Sequence, residues 1–282
     1  MAARDHSGKV VVVTGAGSGI GQAIARSFGR RGARLVLADI NPDALAGSCD
    51  EFDAMGCRTV SRVVDVRNPD DVASLCESTY EEMGRCDVLV NNAGVAMFGY
   101  MENTSLEDWH WVLDVNLWGV IHGCHFFYPR MIEQGGGGHI VNIASAAGLG
   151  LIPTQTAYCA SKYGVVGFSE TLRGEAALHG IGVTAICPSL VTTNIAKSVR
   201  WRMETPGSLN EQHLTEKSVR LSDRRNYSPD NVGERVVRAV EKNKGIMPVG
   251  AEAYLMDYAH RLAPSLGRLW QMITIKILQR TL

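Results

Sequence analysis

Tyr158 and Lys162 stand four residues apart in a stretch of helical pattern, so both side chains leave the helix on one face. Of the eight tyrosines in the chain, this one alone has a lysine four residues on. A phenol beside an ammonium group suits proton transfer. An ordinary phenol has a pKa of about 10, too high for a base near neutral pH. A neighbouring positive charge favours the phenolate and lowers that value. Tyr158 then reads as a general base toward an alcohol, with Lys162 as the perturbing charge. Ser145 follows the strand-like run Ile140-Val141-Asn142-Ile143 and can hold the same oxygen by a hydrogen bond. Asn116 lies in a helical run, Asp114-Val115-Asn116-Leu117. Plainer readings stand beside these: a half-buried aromatic for Tyr158, a cap or turn for Ser145, a satisfied helix polar group for Asn116.

Removing a proton does not by itself oxidise an alcohol; a hydride must also leave, and a cofactor carries it. The first forty residues offer a place for one. The apolar run Lys9-Val10-Val11-Val12-Val13 leads into T-G-A-G-S-G-I-G at 14–21, then into a helix with Ile20, Ile24 and Phe28 on one side. Unpaired N–H groups and the positive dipole end at a helix start attract a pyrophosphate. Gly15, Gly19 and Gly21 let the chain turn sharply and let the anion approach the backbone; Ser18 and Ile20 lie in the same turn. The spacing differs from the usual G-x-G-x-x-G, so the flanking strand and helix carry much of the argument. A second strand, Arg34-Leu35-Val36-Leu37-Ala38, ends in Asp39, where an acid meets the ribose hydroxyls of NAD. A carboxylate there repels a 2′-phosphate, and no Arg or Lys follows closely to neutralise one. NAD is expected over NADP. A positively charged nicotinamide ring would lower the Tyr158 pKa further.

Strand-like runs at 9–13, 34–38, 58–64, 87–90, 138–143 and 182–187 alternate with helical patterns at 20–31, 42–54, 69–83, 105–133 and 156–179. A last unit follows, with a helix at 229–243 and a strand at 246–249. The alternation predicts an α/β fold: a Rossmann-like, doubly wound parallel sheet in a single domain, residues 1–250, with a helical extension at 251–282. Ligands of such sheets sit at the carboxyl ends of the strands. Residues 193–228 break the pattern and read as a substrate lid, or as a plain surface excursion.

The chain has 282 residues, 45% of them hydrophobic, and a net charge of −1. This is ordinary globular usage and argues against nucleic-acid binding. Seven dispersed cysteines without a C-x-x-C pair suggest a reducing compartment, and residues 1–9 lack the apolar core of a secretory signal. A cytoplasmic protein is expected. His122 and His125 form H-x-x-H, but with no third candidate ligand no metal is expected.

In family order, T-G-x-x-x-G-x-G at 14–21, Asp65-Val66, Asn91-Asn92-Ala93-Gly94, Asn116, Ser145 and Tyr158-x-x-x-Lys162 resemble the short-chain dehydrogenase/reductase family over residues 9 to about 250. The resemblance implies a catalytic tetrad of Asn116, Ser145, Tyr158 and Lys162. It places Asp65 against the adenine, Asn92 near the adenosine-side ribose, and Lys162 on the nicotinamide ribose. It puts Asn116 behind Lys162, holding a water of a proton relay. Val66, Ala93 and Gly94 complete the nucleotide contacts. After the sixth strand the family has Pro-Gly, whereas this chain has Pro188-Ser189; Val191 and Thr192 still match the stretch that meets the carboxamide. The family commonly forms dimers and tetramers, so a homodimer or homotetramer is expected.

Val95-Ala96-Met97-Phe98, Ala146-Ala147-Gly148-Leu149, Leu151-Ile152 and Leu190 fall at the predicted pocket edge. Their apolar character points to a hydrophobic secondary alcohol or ketone. From Arg261 to Leu282 there is no acid, while Leu262, Leu266, Leu269, Ile273 and Ile277 recur at helical spacing. Such a helix suits its own domain, a partner subunit or a membrane surface. Two other functions use the same fold: a catalytically idle NAD-sensing module, and a dehydratase or epimerase with bound cofactor.

Overall fold

An uninterrupted run of valines forms the first strand, β1 (Val10–Thr14), and all five of its residues are buried. A strand covered on both faces belongs in the middle of a parallel sheet. The computed structural model describes residues 6–192, 199–203, 212–216, 219–220, 227–262 and 265. The further strands are β2 (Arg34–Asp39), β3 (Thr59–Val63), β4 (Val88–Asn91), β5 (Met97–Gly99), β6 (Gly138–Ile143), β7 (Ile181–Pro188), β8 (Arg200–Arg202) and β9 (Ile246–Val249). The helices are α1 (Gly19–Gly29), α2 (Pro42–Ala54), α3 (Pro69–Met83), α4 (Leu106–Leu113), α5 (Gly119–Gln134), α6 (Thr156–Ala176), α7 (Pro229–Glu241) and α8 (Ala251–Leu262).

Seven strands pair in the order β3-β2-β1-β4-β6-β7-β9, all parallel. The order reverses between β1 and β4, and ligands of doubly wound sheets bind at that crevice. Alternate residues of β1 feed two core layers. Val10 and Val12 join Leu75, Val120, Phe127 and Val165 of α3, α5 and α6. Val11 and Val13 join Ile24, Phe28, Phe52 and Val236 of α1, α2 and α7.

Three helices start on the same kind of triplet. Asn41-Pro42-Asp43, Asn68-Pro69-Asp70 and Ser228-Pro229-Asp230 each put a capping side chain on the N–H of the aspartate. The proline lacks an N–H that would otherwise need a partner, and the acid faces the positive helix end.

Predicted and observed elements agree to within a few residues, with two exceptions. The helix expected over 105–133 is interrupted by a single π-helical turn, Asp114–Trp118, between α4 and α5. A second, two-stranded sheet, β5 with β8, was absent from the sequence reading. Of the expected lid, 193–198, 204–211, 217–218 and 221–226 lie outside the described residues, as does most of the tail beyond Leu262. Among the described residues, no helix is long and apolar enough to cross a membrane.

One buried polar contact carries a pH signature. His139 of β6 is 5% exposed, and its Nε2 meets Thr184 Oγ1 of β7 at 2.7 Å. Thr184 donates its own proton to the Lys244 carbonyl, so the imidazole Nε2 is the donor. Burial, aided by Arg173, lowers the His139 pKa to about 4. A histidine depressed in the folded state binds its proton more readily once unfolded. Its contribution is therefore complete above about pH 6.5 and lost as pH falls toward 4, a change of about 3 kcal/mol. Urea unfolding at pH 7.5 and pH 4 should show wild type losing about that much more stability than His139→Gln. Equal losses in the two proteins would remove His139 as the cause.

Candidate active site

The glycine turn doubles back on itself. Gly15 and Gly19 have φ of +65° and +58°, in the left-handed region that favours glycine. A Cβ on Gly21 would lie 2.1 Å from the Gly15 carbonyl oxygen. Ser18 is the N-cap of α1, and its side chain makes no capping bond. The first turn of α1, Gly19 to Gly21, thus presents backbone N–H groups beyond the end of β1. A negatively charged pyrophosphate fits this cradle, in which a side chain on Gly21 would have no room.

Neighbouring strand ends brace the turn. Asn92 Nδ2 donates to the carbonyls of Thr14 (2.8 Å) and Gly15 (3.1 Å). Thr14 Oγ1 accepts from the N–H groups of Asn92 (3.0 Å) and Ala93 (3.2 Å). The amide nitrogen of Asn92 therefore holds the cradle in shape. Asp39, at the end of β2, accepts from Gly17 N at 2.8 Å and Asn41 N at 2.9 Å. These bonds fix the carboxylate at the edge of the turn and leave lone pairs for a ribose.

The second half of the site lies at the ends of β4 and β6. Ser145 starts a short 3₁₀ turn, Ala146–Gly148, and its Oγ accepts from Ala147 N at 3.1 Å. Its hydroxyl also acts on Tyr158, favouring the phenolate and so lowering the phenol pKa. Lys162 lies one turn along α6 from Tyr158. It is 4% exposed, its Nζ donates to the Ile143 carbonyl at 3.0 Å, and it stands 5.8 Å from the centre of the Tyr158 ring. Gly94 faces this group: a Cβ there would sit 3.2 Å from Asn116 Oδ1 and 3.6 Å from Lys162 Nζ.

Asn116 sits in the π turn and is fully buried. Such single turns often mark functional positions, because the extra residue re-aims a side chain. Its Oδ1 accepts from Val95 N (2.8 Å), while Nδ2 donates to Val95 O (3.0 Å) and to Ser161 Oγ (3.1 Å). Ser161 donates onward to the Tyr158 carbonyl at 2.7 Å. The amide thus clamps the segment after β4 to α6. Both Nδ2 protons are committed to protein atoms, so this side chain positions its neighbours.

Burial works against charge on both members of the pair. It raises the Tyr158 phenol above its ordinary value, against an opposing effect of the Ser145 hydrogen bond. It lowers Lys162 to about 8. The phenol pKa thus lies above its ordinary value, not below it as the sequence led us to expect, because desolvation outweighs the Ser145 hydrogen bond.

The remaining predicted residues are placed as follows. The Asp65 carboxylate forms a two-pronged pair with Arg67, at 2.5 to 2.9 Å, so any contact to an adenine would share that carboxylate. Val66 is buried, and its carbonyl meets His122 Nδ1 at 2.9 Å. Pro188 ends β7; Val191 joins the core layer of α1, and Thr192 N donates to Tyr227 O. Ser189 is accommodated by Gly250, where a Cβ would lie 2.2 Å from Ser189 Oγ. Of the expected pocket walls, Ala96, Met97 and Ala146 to Leu149 are buried in the protein, while Leu151 (38%) and Leu190 (42%) are exposed. The sequence reading did not single out the bonding roles of Thr14 and Ser161. A hydroxyl at the last strand position and one three residues after Tyr158 were the available signals.

A glycine cradle at the switch point of a doubly wound sheet, next to a half-buried tyrosine and a buried lysine, defines a Rossmann-type protein of the nucleotide-binding class. Residues 9–204 match the short chain dehydrogenase family, and the chain belongs to it. It is 38% identical over 258 residues to the probable oxidoreductase EphD of Mycobacterium tuberculosis, covering 90% of this chain but 43% of that protein. The chain thus spans less than half the length of that relative. It is 35% identical over 262 residues to the putative oxidoreductase SadH of M. tuberculosis, covering 92% of each. Its fold matches a short chain dehydrogenase/reductase from Burkholderia phymatum, solved in complex with NAD, with a TM-score of 0.84 and 32% identity over 93% of this chain and 96% of that one.

Proposed function

We propose that the protein is an NAD-dependent dehydrogenase that interconverts a hydrophobic secondary alcohol and its ketone, with Tyr158 as general base and acid. The observation that carries this reading is the group formed by Ser145, Tyr158 and Lys162 beside Gly94. The α1 turn would hold the pyrophosphate, Asp39 the adenosine ribose, and Lys162 the nicotinamide ribose, with Asp65, Val66, Asn92, Ala93, Pro188, Val191 and Thr192 around them. When bound, the nicotinamide supplies the hydride acceptor. The chain's own part is the proton. Ser145 holds the substrate oxygen, Tyr158 takes the hydroxyl proton as the C–H hydride departs, and Lys162 stabilises the phenolate. In reduction the same phenol returns the proton to the carbonyl oxygen.

The carboxylate of Asp39 favours NAD, and the NAD complex of the Burkholderia relative supports the same choice. Exposed Leu151 and Leu190 near the strand ends support an apolar substrate. A cytoplasmic homodimer or homotetramer is the proposed setting. The test combines cofactor binding with turnover. NADH should bind at least about tenfold more tightly than NADPH, because the Asp39 charge opposes a 2′-phosphate. Mixing protein and NAD with a panel of secondary alcohols should produce reduced cofactor, read by absorbance. Tighter NADPH binding overturns the role of Asp39. NAD binding with no turnover across the panel overturns the dehydrogenase reading.

A further inference from the structure

Three-residue strands paired in isolation are marginal in water. Yet β5 and β8 pair in parallel, with Met97 opposite Arg200, Phe98 opposite Trp201 and Gly99 opposite Arg202. Something outside the pairing must hold it. Asp108, in the first turn of α4, is 3% exposed and receives both prongs of Arg202: Nε to Oδ2 at 2.9 Å and Nη2 to Oδ1 at 3.1 Å. Arg200 reaches the same carboxylate at 3.5 Å and lies 3.8 Å over the Trp111 ring. Phe98 stacks on Trp201 with centroids 4.9 Å apart. A two-pronged, charge-assisted pair fixes direction as well as distance, which a single contact cannot do.

The other edge of β5 leads to the reacting phenol. Gly99 N donates to the Thr154 carbonyl at 2.7 Å, and Gly99 bridges to Gln155. Gln155 is the residue before α6, and Tyr158 lies in the first turn of that helix. Thr154 is buried with φ of +69°, a left-handed conformation that a threonine holds only under constraint from its surroundings. Its carbonyl, held by Gly99, is part of that constraint.

We propose that Asp108 is a positioning residue that fastens β8 to β5 and, through Thr154, sets the start of α6 and the substrate side of Tyr158. This rests on the reading of Tyr158 as the reacting group. The fastening keeps β5, and through Thr154 the start of α6, in one position on the substrate side. Its loss weakens substrate binding while leaving the cofactor cradle at α1 unchanged.

The test uses the full-length protein with Asp108→Asn, Asp108→Glu and Ser105→Ala. Ser105→Ala removes the side-chain cap of α4 and one donor to Asp108 Oδ2, but keeps both bonds from Arg202. Hydrogen exchange in Asp108→Asn should speed up about tenfold or more in peptides covering 97–100 and 199–203, and also in 152–158, with 10–30 unchanged. With the best alcohol of the panel as probe, KM should rise about tenfold while the NADH Kd stays near wild type. Asp108→Glu should recover most of the KM effect, and Ser105→Ala should lower Tm without moving KM. Unchanged exchange at 199–203, or faster exchange there with none at 152–158, overturns the proposal. So does a KM rise in Ser105→Ala equal to that in Asp108→Asn. If the wild-type protein turns over no alcohol, the dehydrogenase reading fails, while the exchange data still decide the fastening.

Discussion

Tyr158→Phe is expected to lower kcat for alcohol oxidation by about 10³-fold, the scale of a lost general base, with NADH still bound. The change removes one oxygen and keeps the ring. The ring position on α6 is set by the backbone, and Ser145 keeps its bond from Ala147 N, so the fold has little to lose. Burial raises the phenol in the free protein, so proton transfer depends on the cation beside it. The two directions of reaction then respond oppositely to pH. Oxidation needs phenolate and rises with pH; reduction needs phenol and falls. Kinetics in both directions from pH 6 to 10, with wild type and Tyr158→Phe, test this. Retained activity in the variant, or residual activity with the wild-type pH profile, removes Tyr158 from the proton path.

The periodicity of apolar residues made the sheet legible, because a parallel strand buried on both faces writes itself as a run such as Val10 to Val13. The glycine turn was legible for a related reason: only glycine fits where a Cβ at Gly21 would strike the Gly15 carbonyl. Local pattern could not reveal how polar side chains are spent. Asn92 braces a turn, Asp65 faces Arg67, and Asn116 clamps Val95, each through a partner chosen by tertiary contact. The π turn was invisible because a single widened turn leaves helical pattern on both sides of it and carries no residue signature of its own. Strands β5 and β8 were missed because three residues carry no periodicity. Their pairing depends on Asp108, about ninety positions before Arg202 in the chain.

Lys162→Met should abolish most of the activity and also stabilise the cofactor-free protein, a combination that separates a functional charge from a structural one. The buried lysine has its pKa lowered to about 8, against an ordinary value near 10.5, with burial as the leading cause. The folded state therefore binds this proton less readily than the unfolded chain. The contribution to stability is complete above about pH 10.5 and is lost as pH falls to 8, so neutral pH carries the whole deficit, about 3 kcal/mol. Methionine fills the same space without the charge, but it forfeits the bond to the Ile143 carbonyl, worth about 1.5–3 kcal/mol for a charged donor. The net gain at pH 7 is on the order of 1 kcal/mol, and it should shrink as pH rises through 8. Activity should fall by about 10² or more, because a half-buried phenolate without a cation beside it is penalised twice, by burial and by the missing charge. Denaturant unfolding at pH 7 and pH 10, together with kcat at pH 8, measures both effects. A variant less stable than wild type at pH 7, with the same pH slope, would mean that Lys162 serves the fold and that its charge is not held against burial for catalysis.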